Sequence, residues 1–164
     1  MITNTERRSS AEQRLADLGI TLPPAPSPLG AYVGAVQVGQ LLYLSGTLPS
    51  EGGVPKFLGK LGGELSIEEG KSATRLAALN ALALAKRQLG SLDKVTRVVR
   101  LTVSLVTTPE FRDHAKVADG ASELLADVFG PEKTSTRMVS GVTSLPLGAS
   151  AVVEVLLSIE GQSH

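Results

Sequence analysis

Apolar residues recur along this chain with two different periods, and the changes between them mark out its elements. The stretch "SIEEGKSATRLAALNALALAKRQLG" repeats alanine and leucine at helical intervals, between a Ser66–Glu69 pair with capping-box spacing and a closing Gly90. It predicts one long helix whose many small side chains let it lie close against a sheet. In "VTRVVRLTVSLVTT" the residues Val95, Val99, Leu101, Val103 and Leu105 fall on odd positions with Arg97 as the exception, which predicts a strand. Thr108 with Pro109 at the first helical position predicts the start of a second helix, running to about Phe129 before Gly130-Pro131. Two strands close the chain, one carrying Arg137 and one carrying Glu154.

Upstream, residues 32–38 and 41–48 read as two strands joined at Gly39-Gln40, and so short a connection implies antiparallel pairing. Residues 51–63 are a glycine-rich loop with room for a short strand at 57–61. Residues 1–27 form an N-terminal appendage. It holds a short helix with Leu15 and Leu18 on one face, stopped at Gly19, and then a polyproline-like connector with Pro23, Pro24, Pro26 and Pro28. Residues 28–164 are the domain proper. The order ββ(β)-α-β-α-ββ predicts an α+β fold, one mixed sheet with both helices on one face. The face left bare, to which Val99, Val103, Val153 and Val155 are assigned, is expected to be apolar and hidden by oligomerisation.

With 164 residues the chain is long enough for one domain with a sizeable core. It has no Cys, which excludes disulfides, thiolate nucleophiles and cysteine-bound zinc, and favours a reducing compartment. Its two histidines, His114 and the terminal His164, do not make a metal site, and no metal is expected. Sixteen basic and 16 acidic residues balance, and aromatics are only 3%, so nucleic acid is not an expected partner. No apolar run reaches the roughly 18 residues of a membrane span, and the N-terminus lacks the apolar core of a leader; a soluble cytoplasmic protein is expected. The glycines of the loop match neither GxGxxG nor GxxxxGK[ST] spacing.

No Ser-His-Asp, Cys-His or HExxH arrangement can be assembled, which leaves two charges set in β-forming runs. Arg137 is either a strand-end arginine balanced by a nearby acid, or a guanidinium fork for a small carboxylate. Glu154, on the strand face of Val152 and Leu156, is either the partner of a buried cation or amide, or a group that handles a proton. A structural role would pair the two; a site arginine should have no structural acid depending on it. Gly46 inside a strand is a bulge or a close approach to a ligand. Tyr32 and Tyr43 read as amphipathic edge residues, and His114 as a solvated helix residue.

Three stretches together resemble the RidA family, also called the YjgF/YER057c/UK114 family of reactive imine and enamine deaminases. They are "GAYVGAVQVGQLLYLSGTLP", "LGSLDKVTRVVRLTVSLVTTPEF" and "TRMVSGVTSLPLGASAVVEVLL". The resemblance implies a chorismate-mutase-like fold and a homotrimer with three clefts between subunits. It also implies hydrolysis of small 2-imino or 2-enamino acids, such as 2-aminoacrylate, to 2-keto acids and ammonia, without a cofactor. By the same resemblance Arg137 binds the substrate carboxylate and Glu154 lies near the water. Tyr32 is the cleft tyrosine, Ser45 and Gly46 supply the backbone beside the ligand, and the Val139 backbone meets the imine nitrogen. The chain departs from the pattern at Ala115, four residues after Phe111, where an asparagine contributes to the cleft, and in its N-terminal appendage and longer "LPLGASA" turn. These place it in a longer branch. The rival readings are a non-catalytic trimeric binder of small carboxylates, a ribonuclease, which the charge balance disfavours, and a distant chorismate-mutase activity.

Overall fold

The structure, a computed structural model, describes residues 9–162; the first eight residues, Ser163 and His164 lie outside the described residues. Helix α1 (Ala11–Asp17) leads to strands β1 (Ala35–Val38) and β2 (Leu41–Leu44) and a small ribbon, β3 (Ser50–Glu51) with β4 (Val54–Pro55). Then follow α2 (Ile67–Leu89), β5 (Val95–Val106), α3 (His114–Phe129), β6 (Thr136–Val142) and β7 (Ala151–Ile159). Five strands form one mixed sheet in the order β1-β2-β7-β5-β6, in which only β5 and β6 run parallel. Helices α2 and α3 pack on one face of it, as expected.

Helix α2 forms where its signals lie. Ser66 Oγ accepts from the Glu69 amide at 3.1 Å, and Glu69 Oε2 accepts from the Ser66 amide at 2.8 Å. Gly90 ends the helix in the left-handed region at φ 83°. The small side chains of α2 are buried, Ala73, Ala77, Ala78, Ala81 and Ala85 among them. They allow α3 to come so close that a Cβ on Gly120 would fall on the Lys71 carbonyl oxygen.

Strand β5 departs from strict alternation. Val95, Val98, Leu101, Val103 and Leu105 are the buried set, so Val98 points inward in place of Val99. The cause is two register shifts against β7, between Val95 and Arg97 and between Val98 and Arg100, which change the phase of the strand without ending it. The same register corrects the expected bare face. Val103, Val153 and Val155 are sealed under the helices, at 1% exposure or less. The uncovered face instead carries Val36 and Tyr43, a cross-strand pair, and Glu154, which pairs with Thr102. Met138, opposite Thr102 on β6, continues it. That face is mixed, not uniformly apolar.

Three local expectations are corrected. Helix α3 begins at His114, not at Pro109, because the Thr108 amide is held by the Leu61 carbonyl at 2.9 Å and the Phe111 amide turns back to the Thr108 carbonyl. Arg112 then occupies the carbonyls of Pro109 and Phe111. Residues 57–61 make only isolated bridges, and the ribbon forms earlier, around the Gly52-Gly53 turn. In α1, Ala11 and Leu15 enter the core while Leu18, the C-cap, is half-exposed.

The N-terminal segment docks on the domain. Glu12 takes a 2.9 Å ion pair from Lys86 and a 3.0 Å hydrogen bond from the Leu92 amide, and its own amide donates to Asp93 Oδ1. Ile20, Leu22 and Ala25 pack against the core beyond it.

The close crossing of α2 and α3 yields a first test. Gly120→Ala should lower the thermal midpoint through overpacking of about 1–3 kcal/mol, read by calorimetry; an unchanged midpoint would show that the helices can separate at no cost.

Candidate functional site

Strand β6 lies at an edge of the sheet, and its pairing with β5 decides where its side chains point. Arg137 is opposite Leu101, which is buried under the helices, so its side chain runs toward α3. There its Nη1 donates to Asp119 Oδ1 at 2.6 Å and to Ser122 Oγ at 3.0 Å, and its Nη2 donates to the Ala115 carbonyl at 3.4 Å. The side chain is only 26% exposed although the residue as a whole is open, because the main chain of an edge strand faces solvent. Three of the five guanidinium hydrogens are thus occupied. The Nε–H and one Nη2–H have no acceptor among the described residues, and Nε with Nη2 is the edge that grips a carboxylate side-on.

Glu154 does not meet Arg137. It pairs with Thr102 on the uncovered face of the sheet, and it has no hydrogen-bond or ion-pair partner among the described residues. A structural Arg137–Glu154 pair is therefore excluded. So is an arginine without a structural acid, since Asp119 is its partner. Asp119 and Ser122 escaped sequence reading because they stand 18 and 15 residues from Arg137, a separation bridged only when α3 lies across β6.

The other expected residues separate as well. Tyr32 lies just before β1, and its hydroxyl accepts from the Leu29 amide at 3.0 Å. Ser45, just past β2, donates its hydroxyl to the Val33 carbonyl at 2.6 Å while its amide bonds the Gly34 carbonyl. Gly46 interrupts the strand before Thr47 resumes pairing with Val153. A Cβ there would come within 2.9 Å of Val152 Cγ1, so any side chain at this position would push Val152 aside. Tyr32, Ser45 and Gly46 line one cleft of about 440 Å³, and Arg137 borders a separate one of about 190 Å³. Val139 packs its side chain on the core and offers its main chain at the edge.

The sheet order sets the distance between these groups. Tyr32 and Arg137 flank opposite edges, four strand spacings or about 19 Å apart. A substrate of a few carbon atoms cannot touch both in one subunit. His114, expected to be solvated, is half-buried over β6: its ring meets Phe111 edge-on at 5.2 Å, and Nε2 lies 2.7 Å from where a Gly141 Cβ would be. Among the described residues no group of three or more His, Asp and Glu could hold a metal ion, and no helix is long and apolar enough to cross a membrane.

A two-helix layer on a mixed sheet agrees with the comparisons. The sequence profile described as "YjgF/chorismate_mutase-like, putative endoribonuclease" matches residues 12–159. The chain belongs to that family. The protein TCP17 of Trypanosoma cruzi is 40% identical over 146 residues, covering 88% of this chain and 91% of that protein. The RutC family protein y4sK of Sinorhizobium fredii is 28% identical, covering 85% of this chain and 96% of that one. Among solved structures, one from Shewanella oneidensis described as "a putative endoribonuclease" superposes with a TM-score of 0.88 at 33% identity, covering 92% of this chain and all of that one. The RidA protein of an Antarctic Psychrobacter superposes at 0.59 and 24% identity, covering 82% and 94%, and so shares the fold.

The Arg137–Asp119 pair is partly exposed, at 26% and 46% for the two side chains, so solvent screens it. Arg137→Ala should therefore cost no more than about 1 kcal/mol in urea unfolding. A loss of about 3–5 kcal/mol would mark a desolvated structural pair instead.

Proposed function

We propose that this chain is the subunit of a homotrimer that hydrolyses small 2-imino and 2-enamino acids to 2-keto acids and ammonia. The observation that carries this reading is the state of Arg137. Asp119 and Ser122 hold its Nη1 and the Ala115 carbonyl takes one Nη2 hydrogen, while Nε–H and the other Nη2–H stay unused at an open strand, two donors that a carboxylate can accept from. Asp119 thereby acts as a positioning residue. An arginine neutralised for structure alone would have no need to keep that edge unused.

The site requires more than one copy. Arg137 and the Val139 main chain lie on the β6 edge, while Tyr32, Ser45 and Gly46 lie toward the β1 edge, and apposing the two edges of neighbouring copies unites them. Glu154 belongs with the second group, because Val152, next to it on the same face, abuts Gly46. The glutamate serving a given arginine would thus come from another copy.

In the reaction, the carboxylate fixed by Arg137 and the nitrogen held at the Val139 backbone orient the C=N bond. Water adds through oxygen to the imine carbon; one of its protons passes by way of Glu154 to the nitrogen. In the resulting carbinolamine the hydroxyl proton passes to the nitrogen as the C–N bond breaks, leaving C=O and ammonia. One imino acid and one water give one keto acid and one ammonia, with no redox change and no group for a cofactor to carry.

An amino acid oxidase can supply the imines in situ, with semicarbazide competing to trap them. Native protein should lower the trapped fraction; binding of keto acids with no acceleration of any imine would instead assign the chain to the non-catalytic binder. Arg137→Ala should lose about 3 kcal/mol, or roughly 10²-fold, in kcat/KM, and Arg137→Lys should recover little of it, for lack of a planar fork. Mixing Arg137→Ala with Tyr32→Ala subunits should restore about a quarter of the sites, as random assembly of a site shared between two copies requires. No recovery after verified subunit exchange would place the site within one copy.

Glu154 has its own test. Glu154→Gln should slow turnover by about 10²-fold while leaving KM for the carboxylate nearly constant. A lower melting temperature with turnover intact would make it structural.

A further inference from the structure

The cleft of about 440 Å³ that holds Tyr32, Ser45 and Gly46 has a wall that the shorter reading of the domain leaves out. Its outer side is the proline-rich segment from Pro23 to Leu29. Prolines make this segment a stiff wall rather than a mobile flap. It is fastened at one end by Ala25 in the core and at the other by the Leu29 amide on the Tyr32 hydroxyl. The volume falls in the range of a small-molecule site, roughly 300–1,000 Å³.

The chemistry of the lining is restrictive. No residue bordering the cleft carries a charge. Among its polar side chains, Ser45 donates to the Val33 carbonyl, Thr47 donates to the Ala77 carbonyl at 2.7 Å and the Tyr32 hydroxyl accepts from the Leu29 amide, while the hydroxyls of Ser27 and Ser50 on the cleft rim make no hydrogen bond to a described residue. Asn80 differs. It is 2% exposed, and its Nδ2 donates to the carbonyls of Leu48 and Ser50, both at 2.9 Å. Because both partners are acceptors, the amide orientation is settled, and Oδ1 is left without a donor among the described residues. That oxygen opens onto the cleft, where a ligand's hydroxyl or N–H can take the place of water as its donor.

We infer that the cleft beneath the proline strap binds an aromatic side chain ending in a hydroxyl or ring N–H, with Asn80 Oδ1 accepting from that tip. The substrate part rests on the deaminase reading above: the preferred imino acids are those with phenol or indole side chains, seated here while Arg137 of a neighbouring copy holds the carboxylate. The cleft part stands without it, because the lining contains no carboxylate partner.

Two experiments separate the parts. In the first, 4-methylphenol and toluene are titrated into the assembled, nitrogen-15-labelled protein. The phenol should bind roughly 5-fold more tightly than toluene, as one net hydrogen bond requires, and should shift the Asn80 side-chain amide resonances. Ser27→Phe, on the exposed strap where it would fill the cleft, should weaken the phenol at least 10-fold while leaving the rest of the spectrum in place. No saturable binding, or binding that leaves Asn80 unmoved, would overturn the proposal.

In the second, the trapping assay compares imines made from tyrosine, tryptophan and alanine. Faster hydrolysis of the aromatic imines, lost in Ser27→Phe, supports the substrate assignment; equal rates, or preference for the alanine imine, would refute it. Phenol binding at Asn80 with no imine accelerated would sustain the cleft and sink the deaminase reading.

Discussion

The register of β5 against its two neighbours is the constraint on which everything else depends. Leu101 aligns with Arg137 on one side and Val155 on the other, so all three turn toward the helices; Thr102 aligns with Met138 and Glu154, so those turn away. Side chains alternate with a period of two, and a slip of one residue would send the arginine to the open face and bury the glutamate. The two bulges near the start of β5 bring Val98 and Leu101 into phase before that alignment begins. They are why the strand can carry the exposed Arg97 and Arg100 in its first half and end in the core.

From that register follows a division of labour across the sheet. One edge carries a guanidinium already oriented by a helix, and the other carries an uncharged cleft with an oriented tyrosine. Each half is organised by its own short-range contacts: Asp119 and Ser122 for the arginine, Leu29 and Val33 for Tyr32 and Ser45. Neither half depends on the other for its shape. A shared site of the kind proposed would be preorganised in each copy and completed only on contact, which would place the cost of ordering at folding and not at substrate binding.

Much of the fold is legible in the sequence because its signals are local. The Ser66–Glu69 cap, Gly90 and the alanine-leucine repeat need no partner to be read, and the β1–β2 pairing follows from a two-residue turn. Where reading fails, the deciding contact is distant. Pro109 is a good helix opener, yet Leu61, 47 positions upstream, holds Thr108 in a bridge and delays the helix to His114. Of the valines assigned to a bare face, Val103, Val153 and Val155 are buried and Val99 is not, because the bulges that set the phase of β5 form against β7, which no window around β5 contains. The residues of the candidate site were findable one by one, but their partition between two edges was not, since it is a property of strand order. Asp119 and Asn80 carry no signal of their own: an acid and an amide on helix faces look solvated or structural until the packed neighbour is known.

The docking of α1 has a consequence for how the molecule opens. The helix is seven residues long, and its polar anchors, Glu12 with Lys86, Leu92 and Asp93, join residues about 80 positions apart at a partly exposed surface. Too short to persist alone, and followed by prolines that contribute no amide hydrogen bonds, it has far less holding it than the α2–sheet interior. It is therefore the unit that detaches at the lowest free energy while the sheet stays intact. Amide protons in α1 exchange through that local opening, and those of β5 and β7 only through global unfolding. The strap keeps anchors of its own at Ala25 and Leu29, so the large cleft can keep its wall while the helix opens.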